Sequence, residues 1–257
     1  MQTWFREWDD SAVARRAAAS LGSDEVQVWL ATPSSDEAGL TALVRTLNPD
    51  ERKRAEQFSV NEPRRQFVFG RAVLRQLLGT CLNVEPAALA FGYRPHGKPF
   101  LVQPDFDGDL RFNLSHSNRM VAIALARGRE AGVDIESIQR LDDWLSLAGR
   151  IFSNRELGEL FFLPKPQQRE AFINGWTRKE AWLKATGEGL TDDLPAIEVT
   201  LAPGKEPDLL GLPTGPEAAR QWAMHGIPLP PDFAGAVVFE NISDAGRGII
   251  GAQQART

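Results

Sequence analysis

The chain has 257 residues, enough for one large domain or two small ones, and its 42% hydrophobic and 25% charged residues are ordinary for a soluble protein. A net charge of −5 argues against a nucleic-acid partner that is bound by overall charge. The one cysteine cannot form an internal disulfide. No apolar core of signal-peptide length follows residues 1–10, and no apolar run approaches membrane-spanning length. We therefore expect a cytoplasmic protein without a membrane partner.

The first half of the chain predicts a strand, two helical segments and several further strands. Residues 1–24 are charged and alanine-rich, and we expect a loose arm or a short helix there. Alternation of apolar and polar residues predicts a strand over 26–31. Apolar residues recur at helical spacing over 40–58 and, more strongly, over 63–82, so we expect two helices there. A hairpin is predicted from strands 88–93 and 98–101. Two further strands, 110–114 and 120–126, are joined by a predicted turn at 115–119.

The second half repeats this order. The pattern predicts a strand over 132–138, two helices over 141–160 and 167–186, strands over 197–201, 221–223 and 234–240, and a surface loop over 202–220. We divide the chain into an N-terminal arm (1–25), an N-terminal half (26–128), a C-terminal half (129–244) and a mobile tail (245–257).

An acidic pair lies on the predicted strand GVDIE, residues 132–136. Side chains alternate along a strand, so Asp134 and Glu136 face one way while Val133 and Ile135 face the other. Two neighbouring carboxylates are tolerated when they are solvated, paired with basic groups or bridged by a divalent cation. The pair alone is compatible with either a solvated strand end or a metal site.

A second acid lies on a predicted helix with an apolar face. Glu180 follows Trp176 by four residues and precedes Lys184 by four, so the acid lies beside an apolar stripe and one turn from a lysine. An ordinary surface pair of Glu and Lys has this spacing. So has a metal ligand beside a lysine that neutralises phosphate.

The segment FNLSHS, residues 112–117, ends a predicted strand in a polar turn. Ser115 and His116 are adjacent, and adjacent side chains on an extended chain point apart, which argues against a serine–histidine nucleophile pair. Hydroxyl, imidazole and backbone N–H groups in a turn suit phosphate binding, although a capped turn with a surface histidine fits equally well.

Basic residues cluster in the first half. Lys98 lies in the tight turn HGKP, and arginines recur at 52, 54, 64, 65, 71 and 75. Most such arginines are solvated helix faces. They are also what a chain of net negative charge needs in order to bind an anionic ligand.

Together these segments resemble the surfactin-synthetase-type 4′-phosphopantetheinyl transferases. The matching motifs are GRAVLRQL (70–77), GKP (97–99), FNLSHS (112–117), GVDIE (132–136) and WTRKEAWLKA (176–185). Each motif is weak alone, but their order and spacing match the family over residues 26–190. The resemblance implies an α+β fold in which two similar halves pack as a pseudo-dimer, with coenzyme A in the cleft between them.

The resemblance also implies the activity. The enzyme would be a holo-[acyl-carrier-protein] synthase that transfers 4′-phosphopantetheine from coenzyme A to a serine of an apo acyl or peptidyl carrier protein. It would require Mg²⁺, with Mn²⁺ as the alternative ion, and release adenosine 3′,5′-bisphosphate. Its carriers would serve fatty-acid, polyketide or nonribosomal-peptide biosynthesis, and a fused pseudo-dimer would work as a monomer.

The metal and catalytic residues follow from the motifs. Asp134, Glu136 and Glu180 correspond to the family's metal-binding acids, and Lys184 corresponds to its phosphate-contacting lysine. Glu156 falls where the family can place a candidate base. Either Glu180 or a water on the cation, with or without Glu156, would take the serine proton, and the sequence does not decide which.

The coenzyme A contacts are also carried over by motif. Ser115, His116 and Lys98 correspond to residues that hold the phosphates, and His116 would offset charge during transfer. Arg65 lies near the family's adenine- and phosphate-binding arginine, and Arg52 to Arg54 lie in the region that contacts the 3′-phosphate.

Two other functions use similar residues. Metal-dependent nucleases also combine acids with a lysine, but usually place the lysine on the strand two residues after the second acid, where this chain has Ile138. A non-catalytic module that binds coenzyme A or a carrier would have little use for three converging carboxylates.

Overall fold

The computed structural model describes residues 2–33, 37–102, 108–139, 143–189 and 193–241. The strands of the first half are β1 (Gln2–Glu7), β2 (Glu25–Ala31), β3 (Phe91–Tyr93), β4 (Pro99–Leu101), β5 (Leu110–Ser117) and β6 (Met120–Arg127). Its helices are α1 (Ala12–Ala19), α2 (Glu37–Val44), α3 (Pro49–Glu56) and α4 (Asn61–Leu82), and a 3₁₀ turn follows at Pro86–Ala88.

The second half begins with a strand and continues into helices, as the first half does. Its strands are β7 (Ala131–Ser137), β8 (Glu198–Val199), β9 (Leu209–Gly211), β10 (Trp222–Gly226) and β11 (Phe233–Glu240). Its helices are α5 (Trp144–Ile151), α6 (Asn154–Phe162), α7 (Lys165–Thr186) and α8 (Pro216–Ala219), with a 3₁₀ turn at Leu194–Ala196.

Each half is built around an antiparallel sheet with the same strand order. In the first half β6 lies between β2 and β5, and in the second half β11 lies between β7 and β10. In both halves a 22-residue helix, α4 or α7, is followed by a small two-stranded sheet, β3–β4 or β8–β9. The predicted α+β fold with two similar halves is thereby confirmed, while the exact limits given above for the four segments stay a prediction.

Clusters of buried apolar residues hold these layers together. In the second half Phe172, Ile173 and Leu183 of α7 are buried against the sheet, and α4 plays the same part in the first half. A third cluster contains Val28 of β2 together with Val133 of β7, so the two halves also share a core between their sheets. This shared core brings β5 of the first half next to β7 of the second.

The N-terminal segment is ordered, contrary to the expectation of a loose arm. Gln2–Glu7 forms β1, which pairs in parallel with β2 and adds a fourth strand to the first sheet. Ala12–Ala19 forms a short helix, capped by the Ser11 side chain and packed on α4. The short helix was one of the two expected forms, but the strand was not predicted.

Several predicted boundaries are also wrong. Residues 115–117 continue β5, so the turn to β6 contains only Asn118 and Arg119, and Asn118 adopts a left-handed φ of 50°. The helix predicted over 141–160 is two helices, because Phe152 is extended and Ser153 caps a new helix. The predicted loop over 202–220 contains β9 and α8.

Some predictions fall outside the described residues. These are the tail over 245–257 and the start of the helix predicted at 141. Among the residues that the structure describes, no helix combines the length and the apolar character needed to cross a bilayer.

Candidate active site

Polar side chains of β5 bridge to the backbone of β7. Oδ1 of Asn113 accepts from Val133 N at 2.9 Å, Ser115 Oγ accepts from Ile135 N at 3.3 Å, and Ser117 Oγ accepts from Ser137 N at 2.9 Å. The two strands therefore run in the same direction, joined by side chains instead of a backbone ladder. We call Asn113, Ser115 and Ser117 the polar ladder.

One cavity lies where β5, β7 and α7 meet. Its volume is about 260 Å³. The three carboxylates that were predicted to bind metal line it, together with Lys184 of α7 and with Ser115 and His116 of β5. We call it the carboxylate cavity. Its lining residues are Leu114, Ser115, His116, Asp134, Glu136, Trp176, Glu180 and Lys184.

Asp134 is the most deeply buried acid of the cavity. Its Oδ1 accepts from Lys184 Nζ at 2.6 Å and from Ser115 Oγ at 2.8 Å. Burial raises the pKa of Asp134, while Lys184 and Ser115 oppose that rise. The Lys184 ammonium also donates to Ser115 Oγ at 3.0 Å, so lysine, serine and aspartate form one connected group.

Glu180 faces the same acids from the helix. Burial, together with the negative charges of Asp134 and Glu136, raises the pKa of Glu180 to about 7, although Lys184 opposes the rise. Side chains four apart on a helix are neighbours, which is why Glu180 and Lys184 both reach this cavity from α7. The structure thus brings together the two strand acids and the distant helix acid.

Two carboxylate oxygens of the cavity lack hydrogen-bond partners. Asp134 Oδ2 and Glu180 Oε1 are buried and accept no hydrogen bond from any of the described residues. A buried unpaired carboxylate oxygen is costly unless a cation or a donor satisfies it. Oxygen ligands of this kind suit Mg²⁺. The donor set therefore fits a magnesium ion chemically.

The geometry is not that of a finished metal centre. In the described part of the chain, no three histidine, cysteine, aspartate or glutamate side chains are clustered tightly enough to hold a metal ion. Lys184 instead supplies the positive charge at Asp134. A cation at this place would share Asp134 with the lysine or displace it.

A second cavity of about 320 Å³ adjoins the first, since Leu114 and His116 line both. It lies between α4 and the β3–β4 hairpin, and the exposed Arg54 contributes positive charge to it. Arg71 also lines it, but its guanidinium is paired with Glu51 at 2.6 Å. The Arg54 guanidinium lies 5.2 Å from the ring centre of Phe67, a cation–π contact that holds it at the cavity wall. We call this cavity the basic cleft.

Several predicted contacts with coenzyme A lie elsewhere. Arg52 and Arg65 are not among the residues that line the carboxylate cavity or the basic cleft, and Arg52 Nε instead donates to the Leu47 carbonyl at 2.9 Å. Arg54, which belongs to the same predicted region as Arg52, lines the cleft, and so does Arg71. The sequence located the basic helices, and the structure shows which of their side chains face the cleft.

Lys98 and Ser115 are occupied by protein partners. The Lys98 ammonium donates to Glu130 Oε2 and to the Ala185 carbonyl, both at 2.7 Å, and its side chain is only 8% exposed. The Ser115 hydroxyl donates to Asp134. These contacts use the Ser115 proton and two of the three Lys98 ammonium protons, and the role of both residues in phosphate binding stays a prediction.

Glu156 is not among the residues that line the carboxylate cavity, and its role as a candidate base stays a prediction. Its Oε2 accepts from Lys179 Nζ at 2.6 Å and from Ser153 N at 2.8 Å, and its Oε1 accepts from Val199 N at 2.9 Å. Both oxygens are engaged in a buried ion pair and a helix cap. The S-x-x-E spacing from Ser153 was the local signal for that cap.

Two family models match the chain, one on each half. The model of the 4′-phosphopantetheinyl transferase superfamily matches residues 130–238, which include both strand acids and α7. The model described as 4′-phosphopantetheinyl transferase, N-terminal, matches residues 29–127, which include the polar ladder and the basic cleft.

Individual relatives agree with the family models. The 4′-phosphopantetheinyl transferase HetI of Nostoc sp. (strain PCC 7120) is 42% identical over 184 residues, which are 72% of this chain and 77% of that protein. The 4′-phosphopantetheinyl transferase Sfp of Bacillus subtilis (strain 168) is 28% identical over 174 residues, 68% of this chain and 75% of Sfp.

A solved structure described as the ACPS–CoA complex of Chronobacterium ammoniagenes is also similar. It is 21% identical, covers 45% of this chain and 98% of its own, and superposes with a TM-score of 0.35.

Proposed function

Since the chain belongs to the 4′-phosphopantetheinyl transferase superfamily, we propose that it transfers the 4′-phosphopantetheine of coenzyme A to a serine of an apo acyl or peptidyl carrier protein, with Mg²⁺ or Mn²⁺. The second product is adenosine 3′,5′-bisphosphate. The observation that carries this proposal is the carboxylate cavity, where acids from β7 and α7 converge beside a lysine and a histidine.

Asp134, Glu136 and Glu180 would hold the cation, whose charge would offset that of the coenzyme A diphosphate. The two buried oxygens without hydrogen-bond partners support this assignment. Lys184 reaches the same cavity and remains partly exposed, so its ammonium can also contact a phosphate.

The basic cleft supports the placement of the nucleotide part of coenzyme A. Arg54 and Arg71 lie there, and the exposed His116 lines both the cleft and the carboxylate cavity. An extended anionic ligand can therefore follow positive charge from the cleft to the acids. His116 lies at the junction, where it can donate a hydrogen bond to the phosphate that carries the pantetheine arm.

In the transfer, the serine oxygen of the carrier forms a bond to the phosphorus next to the pantetheine. The bond from that phosphorus to the bridging diphosphate oxygen breaks, and adenosine 3′,5′-bisphosphate leaves with the electron pair. Our candidates for the base are Glu180 and a water on the cation, since both would lie beside the attacking serine. Lys184 and His116 stabilise the negative charge that builds on the phosphate oxygens.

The active site needs residues from one chain only, and we propose that the enzyme works as a monomer in the cytoplasm. Size-exclusion chromatography with light scattering should give a mass near 28.4 kDa. A dimer in which two carboxylate cavities face each other would contradict this proposal.

The activity is tested by mixing the protein with coenzyme A, MgCl₂ and a panel of apo carrier proteins. Mass spectrometry should show a carrier that gains one phosphopantetheine, and EDTA should prevent the gain. Glu180→Gln should abolish transfer, whereas Glu188→Gln, a matched change at an exposed acid just after α7, should not.

The result also separates the alternatives. Coenzyme A binding without transfer to any carrier would favour a binding module. Magnesium-dependent cleavage of DNA or RNA would favour a nuclease. Either outcome contradicts the proposed function.

A further inference from the structure

The two edges of β7 are hydrogen-bonded in different ways. On one side β7 pairs with β11 through a regular antiparallel ladder. Towards β5 its alternate amides meet side-chain oxygens in place of carbonyls, at a constant offset of 20 residues. Backbone amides that are buried need acceptors, so the three ladder residues satisfy this edge.

The two serines of the polar ladder also donate a hydrogen bond to a neighbouring carboxylate. Ser117 Oγ accepts from Ser137 N and donates its proton to Glu136 Oε2 at 2.7 Å. Ser115 Oγ in the same way accepts from Ile135 N and donates to Asp134. A hydroxyl group can accept and donate hydrogen bonds at the same time. Here the oxygen accepts from a β7 amide, and the single proton is donated to the carboxylate beside it.

Ser117 is the clearer of the two cases. It is fully buried and therefore held in one place, and its proton goes to a charged acceptor, which makes a strong hydrogen bond. Ser115 also accepts from Lys184 Nζ, so a change there would disturb the lysine as well as Asp134.

We propose that Ser117 is a positioning residue that orients the Glu136 carboxylate for cation binding in the carboxylate cavity. This inference rests on the proposed function, because it concerns one of the three acids that would hold the ion. Ser117 itself does not line the cavity and acts only through Glu136. Groups that orient a metal ligand by hydrogen bonding commonly affect metal affinity when they are removed.

The test measures Mn²⁺ binding by calorimetry in the presence of coenzyme A and without a carrier, so that no turnover occurs. Ser117→Ala should weaken Mn²⁺ binding about tenfold. Asn113→Ala is the matched control, since it also deprives a β7 amide of its acceptor, and among the described residues no hydrogen bond joins Asn113 to Asp134 or Glu136. The control should change Mn²⁺ affinity much less, and thermal melting shows that both variants are folded.

Activity provides a second readout. In the Ser117→Ala enzyme, transfer should be restored by raising the Mg²⁺ concentration, because the KM for the metal is changed and kcat is not. The Asn113→Ala enzyme should show no such rescue.

The outcomes distinguish this inference from the proposed function. Equal Mn²⁺ affinity in wild type and Ser117→Ala, or equal weakening in both variants, overturns the role of Ser117 even if transfer occurs. Wild-type protein that fails to bind Mn²⁺ overturns it too. Wild type that binds Mn²⁺ but modifies no carrier refutes the transferase assignment, while the two variants still decide whether Ser117 positions Glu136.

Discussion

Gly132 on β7 lies so close to Ala181 on α7 that a Cβ atom on residue 132 would overlap the Ala181 carbonyl oxygen. The same atom would also overlap the backbone of Ala185 one turn further along the helix. Glu180 and Lys184 are the residues that immediately precede these two alanines. The missing side chain at Gly132 therefore lets the helix bring its acid and its lysine up to Asp134.

Replacing Gly132 with alanine should damage both stability and catalysis. Backbone atoms cannot move aside as a flexible side chain can, so β7 and α7 must separate, at a cost of about 1–3 kcal/mol in the free energy of unfolding. Urea denaturation measures the loss, and the transfer assay shows whether the acids still meet. Gly158→Ala on α6 is the control, because its added methyl group meets open space and favours the helix. A Gly132→Ala protein as stable as wild type would contradict this packing.

Glu156→Gln should lower stability without removing a catalytic base. Lys179 is completely buried, and after the substitution its ammonium keeps two carbonyl acceptors but no negative partner. Breaking such a pair costs about 3–5 kcal/mol of unfolding free energy. Burial raises the pKa of Glu156, and the ion pair with Lys179 opposes that rise, so the charge depends on the lysine.

The assay for this variant is the transfer rate per folded enzyme, with denaturation measured in parallel. A lost general base typically lowers the rate by about 10²–10⁴-fold. We expect a much smaller change in kcat together with a lower urea midpoint. A drop in kcat of that size with unchanged stability would instead support Glu156 as the base.

The sequence predicted those parts of the site that depend on local periodicity. Alternation along GVDIE placed Asp134 and Glu136 on one side of a strand, and helical spacing placed Glu180 and Lys184 one turn apart. The structure has β7 and α7 at these positions and brings the four side chains to one cavity.

The parts that depend on contacts between distant segments were not predictable in this way. The partners of Lys98 are Glu130 and Ala185, and neither its turn nor its neighbours in sequence indicate them. Ser117 was placed in a turn, although Asn118, a residue type that tolerates positive φ, signalled a shorter one. Once β5 continues through Ser117, the polar ladder follows from side-chain alternation.

Cation binding should strengthen as the pH rises through 7. Glu180 has a pKa raised from 4.5 to about 7, so below neutral pH it carries a proton that a cation must displace. Competition at one such site gives about a tenfold gain in Mn²⁺ affinity between pH 6 and pH 8. The raised pKa of Asp134 acts in the same direction.

Calorimetry in buffers of different ionisation enthalpy measures both the affinity and the protons released. Glu180→Gln should bind Mn²⁺ more weakly and with a flatter pH dependence. The stability of the fold should change with pH in the opposite direction. The folded protein keeps the Glu180 proton to a higher pH than the unfolded chain does. The contribution of Glu180 to stability therefore falls as the pH rises from about 4.5 to 7. Mn²⁺ affinity that stays constant from pH 6 to pH 8 would contradict the protonation of Glu180.

Removing the charge of Lys98 should lower stability and leave coenzyme A binding nearly unchanged, whereas removing the charge of Arg54 should do the reverse. The Lys98 ammonium satisfies the Ala185 carbonyl in the last turn of α7 and pairs with Glu130, and burial lowers the pKa of Lys98. Lys98→Met leaves that carbonyl without a donor, at a cost of about 1–3 kcal/mol in unfolding free energy. Because its ammonium is held by protein groups, the Kd for coenzyme A should change little.

Arg54→Met is the matched comparison, since it removes a cation from an exposed side chain that lines the basic cleft. It should leave the urea midpoint nearly unchanged and weaken coenzyme A binding about tenfold, as expected for the loss of one charge-assisted phosphate contact. Calorimetry with coenzyme A and urea denaturation on both variants give the full comparison. If Lys98→Met instead loses coenzyme A affinity at constant stability, its ammonium must leave Glu130 to contact the ligand, and the lysine then belongs to the binding site after all.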